Sequence, residues 1–467
     1  MDSPLGHIKI QYKYVKFYEG NQSNSLLEKL VQELPKCTCK EALRSCLLAL
    51  LHTSKLGFWE YERGKVSRKD YVSYLPENII DTILTKVPIR DAVRTSILST
   101  KWRFLWSTMT QLVFDENCVP PPFTLEKSVF DDGFLDIIEQ PMGRKTVAER
   151  FENFVLHFLL LHHGPVQKCI ISTSYLRRSA DIGQWLLVLS RKDIKELVLG
   201  HSSQTQLFHA PSHLFSCHQL TSLKLFRFEL KRPPSKFQGF PCLKNFSLVR
   251  GKVTLEVIEK LISGCPLLEK FEFIDMDNLA FTIRAPNLKY LVLGGKFKDV
   301  YLEHAPLLTA ITIRSFPEVW NGKIVNRIPV TYDCLKFINI ERINHVQSEL
   351  VCLLHFLLQT LNLEKLQISA APVRSCDYHQ AAGFGFWEEK CPLDFTFEHL
   401  KVVKMSEICS RHDLEFLKFV LGHPPVLEMM SISTNHEEVH MGLGIREVVN
   451  EVLRLQRASP KVVINFF

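Results

Sequence analysis

Long apolar runs are missing from this 467-residue sequence. The longest uncharged stretches, such as Cys46–Leu51 and Phe158–Leu161, fall far short of the ~18–20 residues that cross a bilayer. Met1–Lys16 has no apolar core of the kind found in a secretory leader, so no membrane partner and no export are expected. Charge of one sign is also scarce. The 57 Lys and Arg against 50 Asp and Glu leave +7 spread along the whole chain. A nucleic-acid surface needs basic residues gathered on one face, so no nucleic-acid partner is expected. Paired cysteines are lacking too: there are 13, an odd number and scattered, which fits a reduced intracellular protein with buried thiols. No phosphate-cradling P-loop, no glycine-rich dinucleotide loop and no Gly-x-Ser-x-Gly elbow is present, so no catalytic residue is assigned. With 46% hydrophobic and 23% charged residues, the composition is that of a folded globular protein.

Two clusters invite a metal reading. Cys37, Cys39, Cys46 and His52 match no common zinc spacing, and His209, His213, Cys217 and His218 fall in a turn between apolar segments. Both are read as ordinary thiols and histidines, and neither a metal nor a cofactor is expected.

What the sequence does contain is a repeat. The pattern apolar-x-x-apolar-x-apolar recurs from Val166/Cys169/Ile171 and Ile194/Leu197/Leu199 to Leu427/Met430/Ile432, eleven times in all. From Ile194 to Leu427 the steps are 26, 23, 25, 20, 20, 27, 28, 37 and 27 residues, mostly within the ~20–29-residue period of leucine-rich repeats. The fourth and sixth positions alternate inward with the period of a strand, and the first anchors the turn before it. Proline stands two residues ahead of the first position at Pro241, Pro266, Pro286, Pro306 and Pro425, where its fixed φ suits the start of a strand. Helical stripes lie between strands, one at Leu255, Ile258, Leu261 and Ile262, another at Leu350, Leu353, Leu354, Leu357 and Leu358. Met109/Leu112/Phe114 predicts one further strand ahead of the array. The fold expected is α/β: a solenoid of parallel strands on a concave face with helices and loops outside. The usual ninth-position Asn is replaced by residues such as Phe228, Gly251, Met276 and Ile343, which predicts an uneven stack. Ala370–Pro392 reads as an inserted loop.

Upstream, Leu75–Trp106 reads LPENIIDTILTKVPIRDAVRTSILSTKWRFLW. Ile79, Ile80, Ile83, Leu84 and Val87 make one helical stripe that Pro88 ends, Asp91 is placed to cap a second helix, and Trp102 closes the unit. About forty residues bury too little to stand alone, so such a segment completes its core against a partner or a neighbour. This Leu-Pro, aliphatic helix, second Pro, then Trp-Arg-x-Leu-Trp order resembles the F-box. The stretch IRDAVRTSILSTKWRFLW is similar to the plant subgroup in which an F-box precedes leucine-rich repeats and a C-terminal FBD region. Residues 397–432 and the closing EVLRLQRASPKVVINFF are similar to the FBD pattern.

The resemblance implies five segments: an N-terminal extension over 1–72, an F-box over 73–115, a linker and helical lead-in over 116–165, repeats over 166–395 and an FBD domain over 396–467 that continues the stack. It implies a non-catalytic, substrate-recognition adaptor subunit of an SCF-type cullin-RING ubiquitin ligase, acting in nucleus or cytoplasm. The F-box would bind a Skp-type adaptor, and through it a cullin and a RING protein, by Leu75, Pro76, Ile79, Ile83, Val87, Pro88, Leu98 and Trp102. The repeats would hold a substrate protein. Strand alternation turns the third, fifth and seventh positions of each repeat outward, and Lys224, Phe226, Lys270, Tyr290, Arg314 and Phe337 are the candidates there. Their mix of aromatic, apolar and both signs of charge suits a protein partner. A repeat scaffold that recruits no ligase is the alternative. A receptor for a phosphorylated small ligand would need a basic cluster at one end of the concave face, and those positions supply none.

Overall fold

The computed structural model describes residues 77–97, 100–119, 146–176, 179–201, 207–314, 333–343, 347–370, 385–408, 410–434 and 445–467. The chain divides into two units, Met1–Trp106 and Ser107–Phe467. The first holds α1 (Glu77–Leu84) and α2 (Ile89–Arg94), followed by short 3-10 turns. The proline at Pro88 ends the first helix and starts the second. Its φ of −53° is set for an extended-to-helix transition, and its carbonyl accepts the N–H groups of Asp91 (2.8 Å) and Ala92 (3.0 Å). Asp91 therefore does not cap α2, as the sequence suggested. It lies inside the first turn, where the helix dipole favours it, and pairs with Arg94 at 3.2 Å.

The second unit is built on one sheet of thirteen strands. In chain order its members are β1 (Gln111–Phe114), β2 (Lys168–Thr173), β3 (Glu196–His201), β5 (Ser222–Phe226) and β7 (Asn245–Val249). They continue with β9 (Lys270–Arg284), β10 (Tyr290–His304), β11 (Ala310–Arg314) and β12 (Phe337–Ile343). The last are β13 (Lys365–Ala370), β14 (Val402–Ile408), β15 (Met429–Thr434) and β16 (Val463–Phe466). Every neighbouring pair is parallel and the order follows the chain, as a stack of repeats requires. Three short strands, β4 (Phe208–His209), β6 (Phe228–Leu230) and β8 (Lys252–Val253), form a second parallel sheet where the chain leaves the main one.

The eleven motifs account for this arrangement. Each first, fourth and sixth position is buried, from Val166, Cys169 and Ile171 through Leu363, Leu366 and Ile368 to Leu427, Met430 and Ile432. The predicted extra strand forms as β1, with Met109, Leu112 and Phe114 all buried. At the far end β16 adds a thirteenth strand that the motif count missed. Its lead-in is short: Val462 is buried, but Met430 pairs with Ile464, one residue out of the usual spacing.

Where regular horseshoes carry an asparagine ladder, this chain uses a conformational device. The eighth residue of several repeats takes a positive φ: Arg227 (63°), Arg250 (51°), Asp275 (55°), Arg342 (63°), Glu407 (61°) and Gly295 (120°). A left-handed residue costs a side chain about 1–2 kcal/mol. Backbone hydrogen bonds to the next rung offset it, Arg227 N–H to Val249 at 2.9 Å and Arg250 N–H to Ile274 at 2.8 Å. The turn shifts the alternation by one, so the ninth residue points inward. Phe228, Met276, Ile343 and Ile408 are accordingly buried where asparagine would stand. Gly295 has no substitute, since a Cβ there would lie 2.2 Å from the Met276 carbonyl oxygen.

Helices fill the outer layer. Val147–Leu161 opens with a capping box in which Thr146 and Glu149 exchange hydrogen bonds. Leu255–Ser263 buries Val257, Ile258, Leu261 and Ile262, whereas the expected Leu255 is 46% exposed because it sits at the first helical residue, before the stripe begins. Gln347–Leu358 buries Leu350, Leu353, Leu354 and Leu357. The expected loop over 370–392 is in part a helix, Phe386–Lys390, whose Trp387 is buried against the rings of Phe416 and Phe419 at 4.8 Å each. Residues 371–384 of that segment lie outside the described residues.

Two enclosed histidines give the unit a pH dependence. His162 is buried with Nε2 2.8 Å from the Met109 carbonyl, and His201 is buried with its ring 4.7 Å from that of Phe208. Burial is the main cause that lowers both below 6.5, against the raising effect of their backbone hydrogen bonds. Below pH 6.5 the unfolded chain therefore takes up protons that the folded chain refuses, and stability falls as pH falls. We expect urea unfolding to show this loss, by at most about 1.4 kcal/mol per pH unit for each histidine. His162→Gln should flatten the slope between pH 7 and 5.

Candidate protein-interaction surfaces

The helical unit offers its surface around the bend at Pro88. Of the expected adaptor-facing residues, Leu75, Pro76 and Leu98 lie outside the described residues, and Ile79 falls within α1. Ile83 is 6% exposed and Trp102 is 0% exposed, so both are buried within the chain, while Val87 is half-buried and Pro88 exposed. The difference follows from the helix. Ile83 sits on the apolar stripe with Ile80 and Leu84, whereas Val87 and Pro88 occupy the turn that leaves it. Trp102, expected partly at the surface, starts a 3-10 turn whose neighbour Phe104 carries the exposure instead, at 65%. Phe104 stands beneath the Arg103 guanidinium, 5.5 Å from ring centroid to Cζ. The sequence signal for it was the variable residue inside Trp-Arg-x-Leu-Trp.

The second surface is the outward side of the thirteen-stranded sheet. All six substrate-facing candidates lie on its strands, with Lys224 and Arg314 exposed, Tyr290 49% exposed, and Phe226, Lys270 and Phe337 half-buried. The register brings some of them together. Lys270 pairs with Tyr290, Tyr290 with Ala310, and Ala310 with Phe337, so these residues share one row across four strands. Lys224 and Phe226 lie apart from that row, on β5 at the fifth and seventh positions of their repeat. Phe226 is flanked by two guanidinium groups, Arg227 at 5.7 Å and Arg250 at 5.9 Å, and Arg250 continues to Asp275 at 2.9 Å.

Most charges on this face are paired. Lys270 reaches Glu272 at 2.7 Å and Arg314 reaches Glu341 at 3.3 Å. Burial would raise the Glu272 carboxyl, but the hydrogen bond from Lys270 and the nearby Lys224 hold it below the usual carboxylate range. Along the lead-in edge a second set of pairs runs from rung to rung: Lys289 to Glu269 at 3.0 Å, Lys244 to Glu269 at 3.7 Å and Lys336 to Glu364 at 2.8 Å. The third-position row also extends further than the sequence reading took it. Phe337 pairs with Lys365, Lys365 with Val402, Val402 with Met429 and Met429 with Val463. The repeats at Leu400 and Leu427 are legible in the sequence, and their third positions are Val402 and Met429.

His209, His213, Cys217 and His218 do not gather as a ligand set. Among the described residues no group of three or more His, Cys, Asp or Glu is placed to hold a metal ion. His209 faces Glu229, and the buried Cys217 thiol, pushed up to about 12 by burial, donates to the His213 carbonyl. Cys37, Cys39, Cys46 and His52 lie outside the described residues. No helix among the described residues is long and apolar enough to cross a membrane.

Comparison with known proteins places these surfaces in context. The F-box domain model matches residues 72–112. The model described as FBD-associated F-box protein At5g56370, LRR repeats, matches residues 182–332. The chain is 36% identical over 435 residues to the F-box/FBD/LRR-repeat protein At1g13570 of Arabidopsis thaliana, covering 85% of this chain and 98% of that one. It is 24% identical to the FBD-associated F-box protein At5g56370 from the same plant, over 79% of this chain and 76% of that one. A third relative there, the F-box/LRR-repeat protein At3g26922, is 26% identical over 57% of this chain and 89% of its own.

Core and surface roles at the bend are separable by mutation. Ile83→Ala should destabilise the helical unit by about 2–4 kcal/mol and Val87→Ala by less than about 1 kcal/mol. Hydrogen exchange over residues 77–97 checks this, with fast exchange expected for the first variant alone.

Proposed function

The chain belongs to the plant F-box/FBD/LRR-repeat family, and we propose on that basis that it is the substrate-recognition subunit of an SCF-type ubiquitin ligase. The observation that carries the reading is the joining in one chain of an F-box segment over 72–112 and a repeat sheet whose outward face is mixed aromatic, apolar and charged. The F-box binds a Skp-type adaptor, which brings a cullin and a RING protein, and the repeats hold the target protein. Such an assembly works in the nucleus or the cytoplasm.

The chemistry asked of this chain is positioning. A target lysine held near a ubiquitin thioester on another subunit gains effective concentration without any acid, base or nucleophile from the chain that holds it. Its buried thiols suit that role. Burial pushes Cys265 up to about 11 and Cys217 up to about 12, far from the thiolate that nucleophilic work needs. At the F-box, Ile83 and Trp102 keep the shape of the unit from beneath, and the surface given to the adaptor is the turn at Val87 and Pro88, with Leu75, Pro76, Ile79 and Leu98 as the remaining members of the expected set.

A repeat scaffold without ligase recruitment draws on one observation, the burial of Ile83 and Trp102 within the chain itself. Co-expression with a Skp-type adaptor decides between the two. The wild-type chain should co-purify with the adaptor at one to one, and Val87→Asp with Pro88→Ala should reduce the recovered adaptor at least tenfold while thermal unfolding stays within a few degrees. Wild-type chain recovered alone, folded and monomeric, would establish the scaffold instead.

A further inference from the structure

We propose that the C-terminal half of the outward sheet face, from Phe337 to Val463, docks an extended segment of the target protein that carries apolar side chains and a carboxylate, and that Lys365 and Lys404 receive the carboxylate. This rests on the target-holding half of the function proposed above and gives it a site and a chemical class.

Three features of the face converge. The first is the row Phe337, Lys365, Val402, Met429 and Val463, one residue from each of five adjacent strands in unbroken register. Met429 is 45% and Val463 57% exposed, with Phe337 and Val402 half-buried beside them. At about 4.8 Å between strands the row is roughly 19 Å long, the reach of about six extended residues. Single exposed apolar side chains are ordinary on a protein surface, but an aligned series rimmed by polar groups is the mark of a docking surface.

The second feature is the parallel row two residues further on: Asn339, Gln367, Lys404, Ser431 and Asn465. The sheet's own backbone groups are spent on its ladder, so they cannot serve a segment lying on its face. Side-chain amides and a hydroxyl can, because each both donates and accepts. An apolar rail beside an amide rail fits an extended segment laid across the strands, its side chains on one and its backbone on the other.

The third feature is charge. Lys270 and Arg314 are matched by Glu272 and Glu341, as given above. Lys365 and Lys404 have no ion pair among the described residues, and they sit diagonally on β13 and β14, with Lys404 facing Gln367 in register. The Lys365 ammonium rests 5.2 Å from the centre of the Phe337 ring. A segment that covers the apolar rail also covers these two cations, and a buried cation needs its counter-charge. Two lysines amid apolar residues are too few for a polyanion, whose binding grows with the number of phosphates neutralised. A carboxylate between apolar side chains meets the demand. Val402, Met429 and Val463 all lie in the C-terminal region, so that region reads the target along with the repeats before it.

Panning a phage-displayed library of random twelve-residue peptides on the full-length chain tests this. Peptides enriched on the wild type should carry Asp or Glu between aliphatic or aromatic residues. Their affinity, read by fluorescence polarisation, should drop at least tenfold on Lys365→Glu with Lys404→Glu and at least fivefold on Met429→Asp, with thermal unfolding of both variants unchanged. Panning on the doubly reversed variant should enrich Lys or Arg at the same place. Enrichment of basic peptides on the wild type, acidic peptides held equally well by the reversed variant, or no enrichment at all would overturn the proposal. Adaptor co-purification with the wild-type chain keeps the outcomes apart: a wild-type chain that recovers adaptor but enriches no acidic peptide refutes this site, and one that docks acidic peptides but recovers no adaptor refutes the ligase reading.

Discussion

The common register of the thirteen parallel strands is the constraint on which the rest of the second unit depends. Each repeat is too small to enclose its own leucines, and it does so only by lying against the next with first, fourth and sixth positions aligned. A slip by one residue anywhere would turn a buried pair such as Leu366 and Ile368 to solvent and bring Lys365 and Gln367 inside. The rung-to-rung hydrogen bonds begin one residue before each strand, as where Lys244 donates to Thr221 and Glu269 donates in turn to Lys244. The Lys–Glu pairs at that same edge repeat the register in charge, though exposed pairs add little energy. In five repeats a proline stands ahead of the strand, and at Arg227 and Arg250 a left-handed residue follows its end.

That register also makes the outward face. Inward positions are dictated by burial, whereas outward ones are free of it and hold what a partner requires. The face is therefore divided along its length. Toward the N-terminal side it presents the Arg–Phe–Arg group about Phe226 and paired charges such as Lys270 with Glu272, and toward the C-terminal side an apolar row with two lysines. The helical unit follows a different logic. Its stripe at Ile80, Ile83, Leu84 and Trp102 is buried, and among the described residues the proline turn and Phe104 are exposed. A motif position being strongly characteristic thus does not mean that it is exposed.

Much of this was legible in the amino-acid order alone. Burial of the first, fourth and sixth positions of each repeat leaves a trace that survives loops of any length, which is why the repeats, their prolines and the strand at Met109/Leu112/Phe114 could be read directly. The F-box pattern was legible for a related reason, since a small unit must spend most of its residues on shape. Three things needed the folded chain. The eighth-position turn draws on hydrogen bonds to the next rung, and no local preference would have placed Arg227 or Arg250 in left-handed backbone. The helix at Phe386–Lys390 is held by rings from Phe416 and Phe419, thirty residues along the chain. The outward row is assembled from residues 337, 365, 402, 429 and 463, whose neighbourhood exists only once the strands have stacked. Periodic burial is a property of order along the chain and was determined by the sequence itself; which side chains stand next to each other on the open face is a property of register between strands, and only the tertiary structure decided it.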